Sequence, residues 1–99
     1  LESMWNAGTI ATEVGLLSHL IKLDASGINL TNTIPSQLEN LVNLEYVNLA
    51  HNTLTGTIPP QFGTLTNLST ALSLSGNQLS GTIPWQLEKL KELEYLDLS

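Results

Sequence analysis

The chain repeats itself at a fixed interval, and this periodicity limits its fold more than any other feature. The segments GTIPPQFGTLTNL and GTIPWQLEKLKEL begin at Gly56 and Gly81 and share most of their pattern at a distance of 25 residues. Ile-Pro pairs begin at Ile34, Ile58 and Ile83, in steps of 24 and 25 residues. A protein with a unique core has no reason to repeat one pattern, whereas stacked structural units require it. The sequence therefore predicts a solenoid of similar coils.

Each unit combines three local patterns. Apolar and other residues alternate over residues 46–50, which predicts a strand with one buried face. Residues 55–58 read as a second extended piece, because the proline that follows disfavours helix. After Pro59 the apolar residues recur at every third position, which suits a short helix or a 3₁₀ turn. Ser36 and Glu39 have the spacing of a capping box at the start of such a turn.

The aligned apolar columns predict the core. One unit cannot bury its own leucines, and about three stacked units are needed for stability. The units run over residues 21–44, 45–68 and 69–93, with partial units at 1–20 and 94–99, so residues 1–99 form one array without a second domain. The columns are Leu20, Leu44, Leu68 and Leu93; Leu17, Leu41, Leu65 and Leu90; Val14, Leu38, Phe62 and Leu87; and Leu23, Val47, Leu72 and Leu96.

This pattern, L-x-x-L-x-L-x-x-N-x-L-x-G-x-I-P, resembles the leucine-rich repeat family and, within it, the plant-type subclass. The resemblance implies an α/β solenoid that winds as a right-handed superhelix. It places a parallel β-sheet on the concave side and short helices or 3₁₀ turns on the convex side. It also implies that Asn52 and Asn77 form a buried ladder that satisfies backbone amides of adjacent coils. The chain departs from the pattern at Ile28, where asparagine is expected, and at Asn32, where glycine is expected.

Neither end of the chain shows a capping unit. Leu1 occupies a strand position, Met4 and Asn6 stand at ladder positions, and residues 96–99 open a new strand. We expect Trp5 to help close the amino-terminal end. Because solenoids normally finish with atypical polar caps, further repeats or another chain are expected to cover both ends.

The charge of the chain narrows the choice of partner. Nine acidic residues against three lysines give a net charge of −6. This balance argues against nucleic acid and against an anionic membrane surface. No stretch approaches the roughly 18 apolar residues of a membrane span, and nothing at the start resembles a signal peptide. We therefore expect no direct insertion of this segment into a membrane.

The sequence contains no motif for catalysis. A glycine-rich phosphate loop, a G-x-S-x-G elbow and a cysteine nucleophile are all missing from it. His19 and His51 fall in different parts of their coils, without an acid or hydroxyl at motif spacing. We expect neither an enzyme nor a cofactor or metal site.

The outward strand positions supply the candidates for partner binding. Tyr46 and Tyr95 occupy one outward column, Asn48 and Asp97 occupy the next, and Trp85 begins a turn on the convex side. Aromatic residues are favoured at interfaces, although these residues are also compatible with an ordinary strand surface. The prediction is a scaffold that recognises another protein, a peptide or a glycan, within a larger secreted or receptor-like protein.

Outward threonines offer an alternative function. Hydroxyl residues flank the glycine position of each unit and are expected to form two parallel columns, about 4.8 Å apart from coil to coil. Such columns resemble the flat ice-binding faces of some solenoid antifreeze proteins, although β-branched residues also suit any exposed strand. The residues are Thr31, Thr33, Thr55, Thr57, Ser80 and Thr82.

Two sequons bear on the location of the protein. Asn29-Leu30-Thr31 and Asn67-Leu68-Ser69 match the acceptor motif for N-glycosylation. The chain has no cysteine, so disulfides give no information about the compartment. The sequence favours a secreted or cell-surface protein.

Overall fold

The computed structural model describes residues 8–99 of the chain. The predictions for Leu1, Met4, Trp5 and Asn6 lie outside the described residues.

One side of the molecule is a parallel sheet to which each coil contributes one short strand. The strands are β1 (Lys22–Asp24), β2 (Tyr46–Asn48), β3 (Ala71–Ser73) and β4 (Leu96–Asp97), in the order β1-β2-β3-β4. Lys22 pairs with Tyr46, and Tyr46 pairs with Ala71, so the sheet follows the register of the sequence repeat. The alternation seen in the sequence therefore predicts both the strands and their pairing.

The other side of each coil contains a 3₁₀ turn of five residues. The turns are Thr12–Leu16, Ser36–Asn40, Pro60–Thr64 and Trp85–Lys89. Each turn follows an extended residue, which is proline in three of the four, and closes with a main-chain bond such as that from Leu41 N–H to the Leu38 carbonyl at 3.0 Å. The capping-box prediction is wrong. Pro35 is the N-cap, Ser36 already lies within the turn, and no side chain caps it.

The apolar columns form one continuous core, as predicted. The column of Val14, Leu38, Phe62 and Leu87 is buried in every coil, and Leu41 and Leu65 have no exposed surface. Leu17, Leu20 and Leu93 are partly buried and pack against the same cluster. Leu96 differs, because 48% of its surface is exposed at the last strand.

A second line of main-chain contacts joins the coils beside the left-handed residue of each unit. Isolated parallel bridges link Thr9 with Thr31, Thr33 with Thr55, and Thr57 with Ser80. Thr33 thus lies beside Thr55 rather than beside Thr57, its counterpart in the repeat. Each coil is therefore offset by two residues at this position, so the hydroxyl columns expected from the sequence run obliquely to the direction in which the coils pair.

The left-handed backbone of this position explains the preference for glycine. Gly56 has φ +81°, and a Cβ atom on it would lie 3.0 Å from the Cγ2 atom of Thr33 in the preceding coil. Glycine is the residue that meets both requirements without strain. Asn32 adopts φ 63° at the same position, which asparagine tolerates better than most residues. The departure at Asn32 therefore leaves the path of the chain unchanged.

Candidate functional site

The outward face of the sheet, called the sheet face here, collects four of the five predicted partner-binding residues. Tyr46 and Asn48 lie on β2, while Tyr95 immediately precedes β4 and Asp97 lies within it. The small residues of β3 separate the two pairs. The structure therefore brings the predicted residues to one face and divides them into two rows.

Each row is held by a hydrogen bond between residues two positions apart. Asn48 Nδ2 donates to the Tyr46 hydroxyl at 3.2 Å, and the Tyr95 hydroxyl donates to Asp97 Oδ2 at 3.1 Å. Each tyrosine ring is thereby directed along its own strand. We call the two rows the Tyr46–Asn48 rail and the Tyr95–Asp97 rail. Their hydrogen bonds limit the rotation of four side chains before any ligand arrives.

The Tyr95–Asp97 rail is anionic. Asp97 Oδ1 accepts hydrogen bonds from the side chain and backbone of Ser99, at 2.6 and 3.0 Å. These bonds, the Ser99 side chain first, lower the pKa of Asp97. The hydrogen bond to Asp97 and the charge of that carboxylate raise the pKa of Tyr95. At neutral pH this rail therefore presents a carboxylate beside a neutral phenol.

Ala71, Ser73 and Ser75 lie between the two rails on the outward face of the sheet. Although these side chains are on the outward face, only 8%, 9% and 9% of their surfaces are exposed. The Ser73 and Ser75 hydroxyl oxygens are 3.4 Å apart and form one hydrogen bond with each other. The strip of small residues between the rails is thus largely polar and little exposed.

Other charges surround the sheet face at its edges. Lys22 Nζ lies 5.0 Å from the centroid of the Tyr46 ring, a distance at which a cation is attracted to the ring face. Asp24 Oδ1 accepts from the backbone and side chain of Ser26, at 3.2 and 3.0 Å, in the same arrangement as Asp97 with Ser99. His51 has φ 59° and contributes to the lowered pKa of Asp97.

Trp85 is the fifth predicted residue, and the structure does not bring it to the sheet face. It begins the last 3₁₀ turn and is 63% exposed, with Lys89 Nζ 5.4 Å from its ring centroid. It borders a shallow depression of about 420 Å³ that Thr57, Pro60 and Ile83 also line. No residue of the sheet strands lines this depression, so Trp85 belongs to a separate surface.

The asparagines at the ladder positions connect neighbouring coils. Asn52 Oδ1 accepts from the amides of Ile28 and Leu30 in the preceding coil, at 3.1 and 2.9 Å. Asn52 Nδ2 donates to the carbonyls of Ala25 in that coil and of Leu49 in its own, both at 3.0 Å. Asn77 Oδ1 accepts from Leu54 at 3.0 Å, and its Nδ2 donates to Leu49 at 2.9 Å. These bonds hold the ends of β1 to β3 in place.

A second row of asparagines was not anticipated from the sequence. Asn43 Nδ2 donates to the Ser18 carbonyl at 2.9 Å, and Asn67 Nδ2 donates to the Val42 carbonyl at 2.8 Å. Both asparagines precede the leucine that starts the strand segment. The two asparagines occupy the same position in successive repeats, and this recurrence is the sequence signal that could have identified the row.

The two sequon asparagines differ in their surroundings. Both are exposed, and Asn29 has φ 62° in the turn after β1. Asn67 uses its side-chain amide nitrogen in the bond to Val42. A glycan on Asn29 disturbs no such bond between coils.

The threonines of the alternative hypothesis are exposed on the described structure. Their arrangement is oblique because of the offset between coils, and Thr31 Oγ1 donates to the Gly8 carbonyl at 3.2 Å. Within residues 8–99 no group of three or more His, Cys, Asp or Glu side chains could hold a metal ion. In the same part of the chain no helix has the length and apolar character needed to cross a membrane.

The family model described as Leucine Rich Repeat matches residues 43–65 and 70–90. Among solved structures, the plant peptide hormone receptor RGFR1 in complex with RGF2 has a TM-score of 0.90 and 35% identity over 92% of this chain, which spans 15% of that receptor chain. A TDR receptor has a TM-score of 0.89 and 43% identity over 92% of this chain, which spans 16% of it.

A smaller neighbour is similar over a larger share of its length. The BIR2 ectodomain from Arabidopsis thaliana has a TM-score of 0.83 and 35% identity over 89% of this chain, which spans 46% of that ectodomain. No match is found among curated proteins. The chain thus spans less than half of each of these three structures.

Proposed function

This chain belongs to the leucine-rich repeat family, with repeats of the plant type, and from that premise we propose that its sheet face is part of the ligand-recognition surface of a receptor-like protein. The observation that carries the proposal is the match of 92% of the chain, at 35% identity, to a receptor solved in complex with RGF2. The partner of this chain is a peptide or another protein in that proposal.

The rails give the sheet face the properties of a recognition surface. Their tyrosines supply large contact areas, and aromatic residues are enriched in interfaces. The hydrogen bonds to Asn48 and Asp97 hold the rings before binding, so that less side-chain entropy is lost when a ligand docks. We therefore assign Tyr46, Asn48, Tyr95 and Asp97 to partner binding.

Trp85 supports a second contact area in the same proposal. Its exposed ring and the neighbouring depression lie apart from the rails. A partner that reaches Trp85 does so from the side of the 3₁₀ turns. The two areas can therefore be tested independently.

The alternative of ice binding receives no support from the structural neighbours, which include receptors and receptor ectodomains. The offset at the second line of contacts also replaces straight hydroxyl columns with oblique ones. We do not propose this function.

An extracellular location follows from the same proposal. The structural neighbours include ectodomains, and Asn29 and Asn67 are exposed sequon residues. To test this location, the chain is expressed in plant cells and its N-glycans are removed from the secreted material. We expect the mass of the chain to fall. A chain that is retained in the cytosol and carries no glycan contradicts it.

The experiment for the recognition function selects ligands without assuming their identity. Random seven-residue peptides displayed on phage are selected on the immobilised chain, and backbone hydrogen exchange maps where synthetic versions of the selected peptides bind. We expect protection of β2 to β4 and a loss of about 1–3 kcal/mol of binding free energy for Tyr46→Ala or Tyr95→Ala, as for hot-spot residues. Trp85→Ala tests the second contact area separately from the sheet face. Protection confined to the 3₁₀ turns, with both tyrosine variants unchanged, contradicts the proposal.

A further inference from the structure

The two sequon asparagines lie on opposite flanks of the solenoid. Asn29 follows strand β1 and precedes the 3₁₀ turn Ser36–Asn40, whereas Asn67 follows the turn Pro60–Thr64 and precedes strand β3. In each coil the chain passes from strand to turn along the first flank and returns from turn to strand along the second. A glycan on Asn29 therefore covers a different surface from a glycan on Asn67.

The Asn67 side chain belongs to the contact between two coils. Its Nδ2 atom donates to the Val42 carbonyl of the preceding coil at 2.8 Å. One coil earlier, Asn43 Nδ2 donates to the Ser18 carbonyl at 2.9 Å in the same way. The recurrence in successive coils identifies a structural bond of the repeat. N-glycosylation modifies this same side-chain nitrogen, so the structural bond and the modification compete for one atom.

The chemistry of glycosyl transfer defines this competition. A bond forms between Nδ2 and the anomeric carbon of the sugar, while the bond from that carbon to the phosphate oxygen of a glycosyl diphosphate donor breaks. The nitrogen loses one of its two hydrogens as a proton, and the diphosphate leaves. If transfer follows folding, the Asn67 nitrogen already lies against the preceding coil. If transfer comes first, folding must fit a bulky group at that contact. Both orders disfavour a glycan on Asn67 in the folded chain.

Asn29 meets neither obstacle. It is exposed, it adopts φ 62° in a turn, and among the described residues no hydrogen bond involves its side chain. The hydroxyl residue of its sequon, Thr31, is exposed as well, whereas Ser69 in the other sequon is half-buried. The structure thus leaves the acceptor nitrogen of Asn29 free and its surroundings open.

The surface around Asn29 suits a glycan better than a protein partner. Residues 29–34, 53–58 and 78–83, called the hydroxyl flank here, contain no charged and no aromatic residue. Interfaces between proteins are enriched in aromatic residues and arginine, which this flank lacks. Hydroxyl groups both donate and accept hydrogen bonds, as sugar hydroxyls do, and no charge has to be desolvated beneath them. The exposed hydroxyl residues are Thr31, Thr33, Thr53, Thr55, Thr57, Ser80 and Thr82.

We propose that Asn29 carries an N-linked glycan, that Asn67 stays unmodified, and that the glycan lies along the hydroxyl flank and leaves the sheet face open. The inference rests on the proposed extracellular location. It gives the two sequons different roles, because Asn67 keeps its bond to the preceding coil. It also gives the hydroxyl residues a role as the polar surface beneath the glycan.

The test measures the occupancy of each sequon separately. The chain is expressed in plant cells with an added secretion signal, and cleavage after Glu39 and Glu45 separates the two sequons. Enzymatic release of the glycans in H₂¹⁸O converts each modified asparagine to labelled aspartate, which mass spectrometry counts. We expect occupancy at Asn29 to exceed that at Asn67 by about two- to tenfold, the population ratio that corresponds to one ordinary hydrogen bond.

Two variants separate the structural bond from the sequence of the sequon. Ser69→Thr gives both sequons the same hydroxyl residue, and the low occupancy of Asn67 should persist. Glu45→Thr creates a sequon at Asn43, whose nitrogen is bonded like that of Asn67, and this sequon should also stay poorly modified. Thermal unfolding verifies that each variant is folded. Occupancy at Asn67 or Asn43 equal to that at Asn29 in these variants overturns the inference.

The position of the glycan is tested on the modified chain. Compared with Asn29→Gln, the glycosylated chain should show shifted amide signals at Thr31, Thr33 and Thr55 and unchanged signals in β2 to β4. The peptides selected on the immobilised chain should bind both forms equally. Weaker peptide binding to the glycosylated form, or a secreted chain without a glycan at Asn29, overturns the inference.

The failure of this inference is distinguishable from failure of the proposed function. The added signal directs the chain into the secretory pathway whether or not the parent protein is extracellular, so the choice between Asn29 and Asn67 is measured in either case. The recognition function is judged by the peptides and the tyrosine variants, which do not depend on a glycan.

Discussion

Two neighbouring coils differ at the residue that follows the strand, and the difference shows how the solenoid is held together. The coil of residues 45–68 has Asn52, which is buried and bonded to both its own coil and the preceding one. The coil of residues 21–44 has Ile28 at the same position, and 43% of its surface is exposed. The backbone amides of Ile28 and Leu30 are nevertheless bonded, because Asn52 reaches back to them.

The ladder residue of one coil therefore serves the coil before it. An irregular residue at position 28 leaves its own coil intact and removes a link toward the amino-terminal unit instead. That boundary keeps other contacts, including the bonds from Asn43 to Ser18 and from Thr31 to Gly8. We infer that stability declines toward the first unit and that the coil of residues 45–68 is anchored on both sides.

The largest expected effect concerns the buried leucines, which both coils contain. Leu49 and Leu23 have 0% and 1% of their surfaces exposed, so each replacement by alanine removes a buried leucine from the core of one of the two coils. Leu49→Ala and Leu74→Ala should each lower the free energy of unfolding by roughly 2–5 kcal/mol, and Leu23→Ala should fall in the same range. Chemical denaturation measures all three. Nearly silent changes at Leu49 and Leu74 would refute the assignment of the core columns.

The next largest effect concerns the ladder position, at which the two coils differ. Asn52→Leu leaves the amides of Ile28 and Leu30 without an acceptor, and each unsatisfied buried group costs about 1–3 kcal/mol. Ile28→Leu, at the equivalent exposed position, should change the free energy of unfolding by less than about 0.5 kcal/mol. Asn77→Leu should be destabilising like Asn52→Leu, to a smaller extent because Asn77 accepts from one amide.

Denaturation of these variants gives the free energies, and hydrogen exchange locates the loss. Asn52→Leu should speed exchange at Ile28 and Leu30 before other amides of the sheet. Equal stability losses for Asn52→Leu and Ile28→Leu would show that the hydrogen bonds of the asparagine at the ladder position do not contribute to stability.

The smallest expected effect concerns the second asparagine row. Asn67→Ala removes the bond to the Val42 carbonyl and should cost about 0.5–1.5 kcal/mol, the net value of an ordinary hydrogen bond. Asn29→Gly, the matched change at the other sequon, preserves the positive φ and should be within about 0.5 kcal/mol of the unmodified chain. Thermal unfolding of the unglycosylated chain compares them. A larger loss for Asn29→Gly than for Asn67→Ala contradicts this difference.

The sequence by itself determined the features that repeat locally. The period, the strands, the proline-led 3₁₀ turns and the buried columns could all be predicted, because each depends on residues within one unit. The four residues of the rails could be assigned to the outward face for the same reason, since side chains alternate along a strand. The capping box at Ser36 failed because Pro35 places the start of the turn one residue earlier than the motif requires.

Only the tertiary structure decided how the coils meet. The pairing of Thr33 with Thr55, two residues out of register with the repeat, is a contact between coils that the sequence period does not report. The small residues of β3 lie between tyrosines that come from the coils on either side, which is also a relation between units. The reach of Asn52 into the preceding coil is likewise a relation between units. Such contacts between coils depend on stacking distances and main-chain geometry. The sequence pattern of one unit does not specify them.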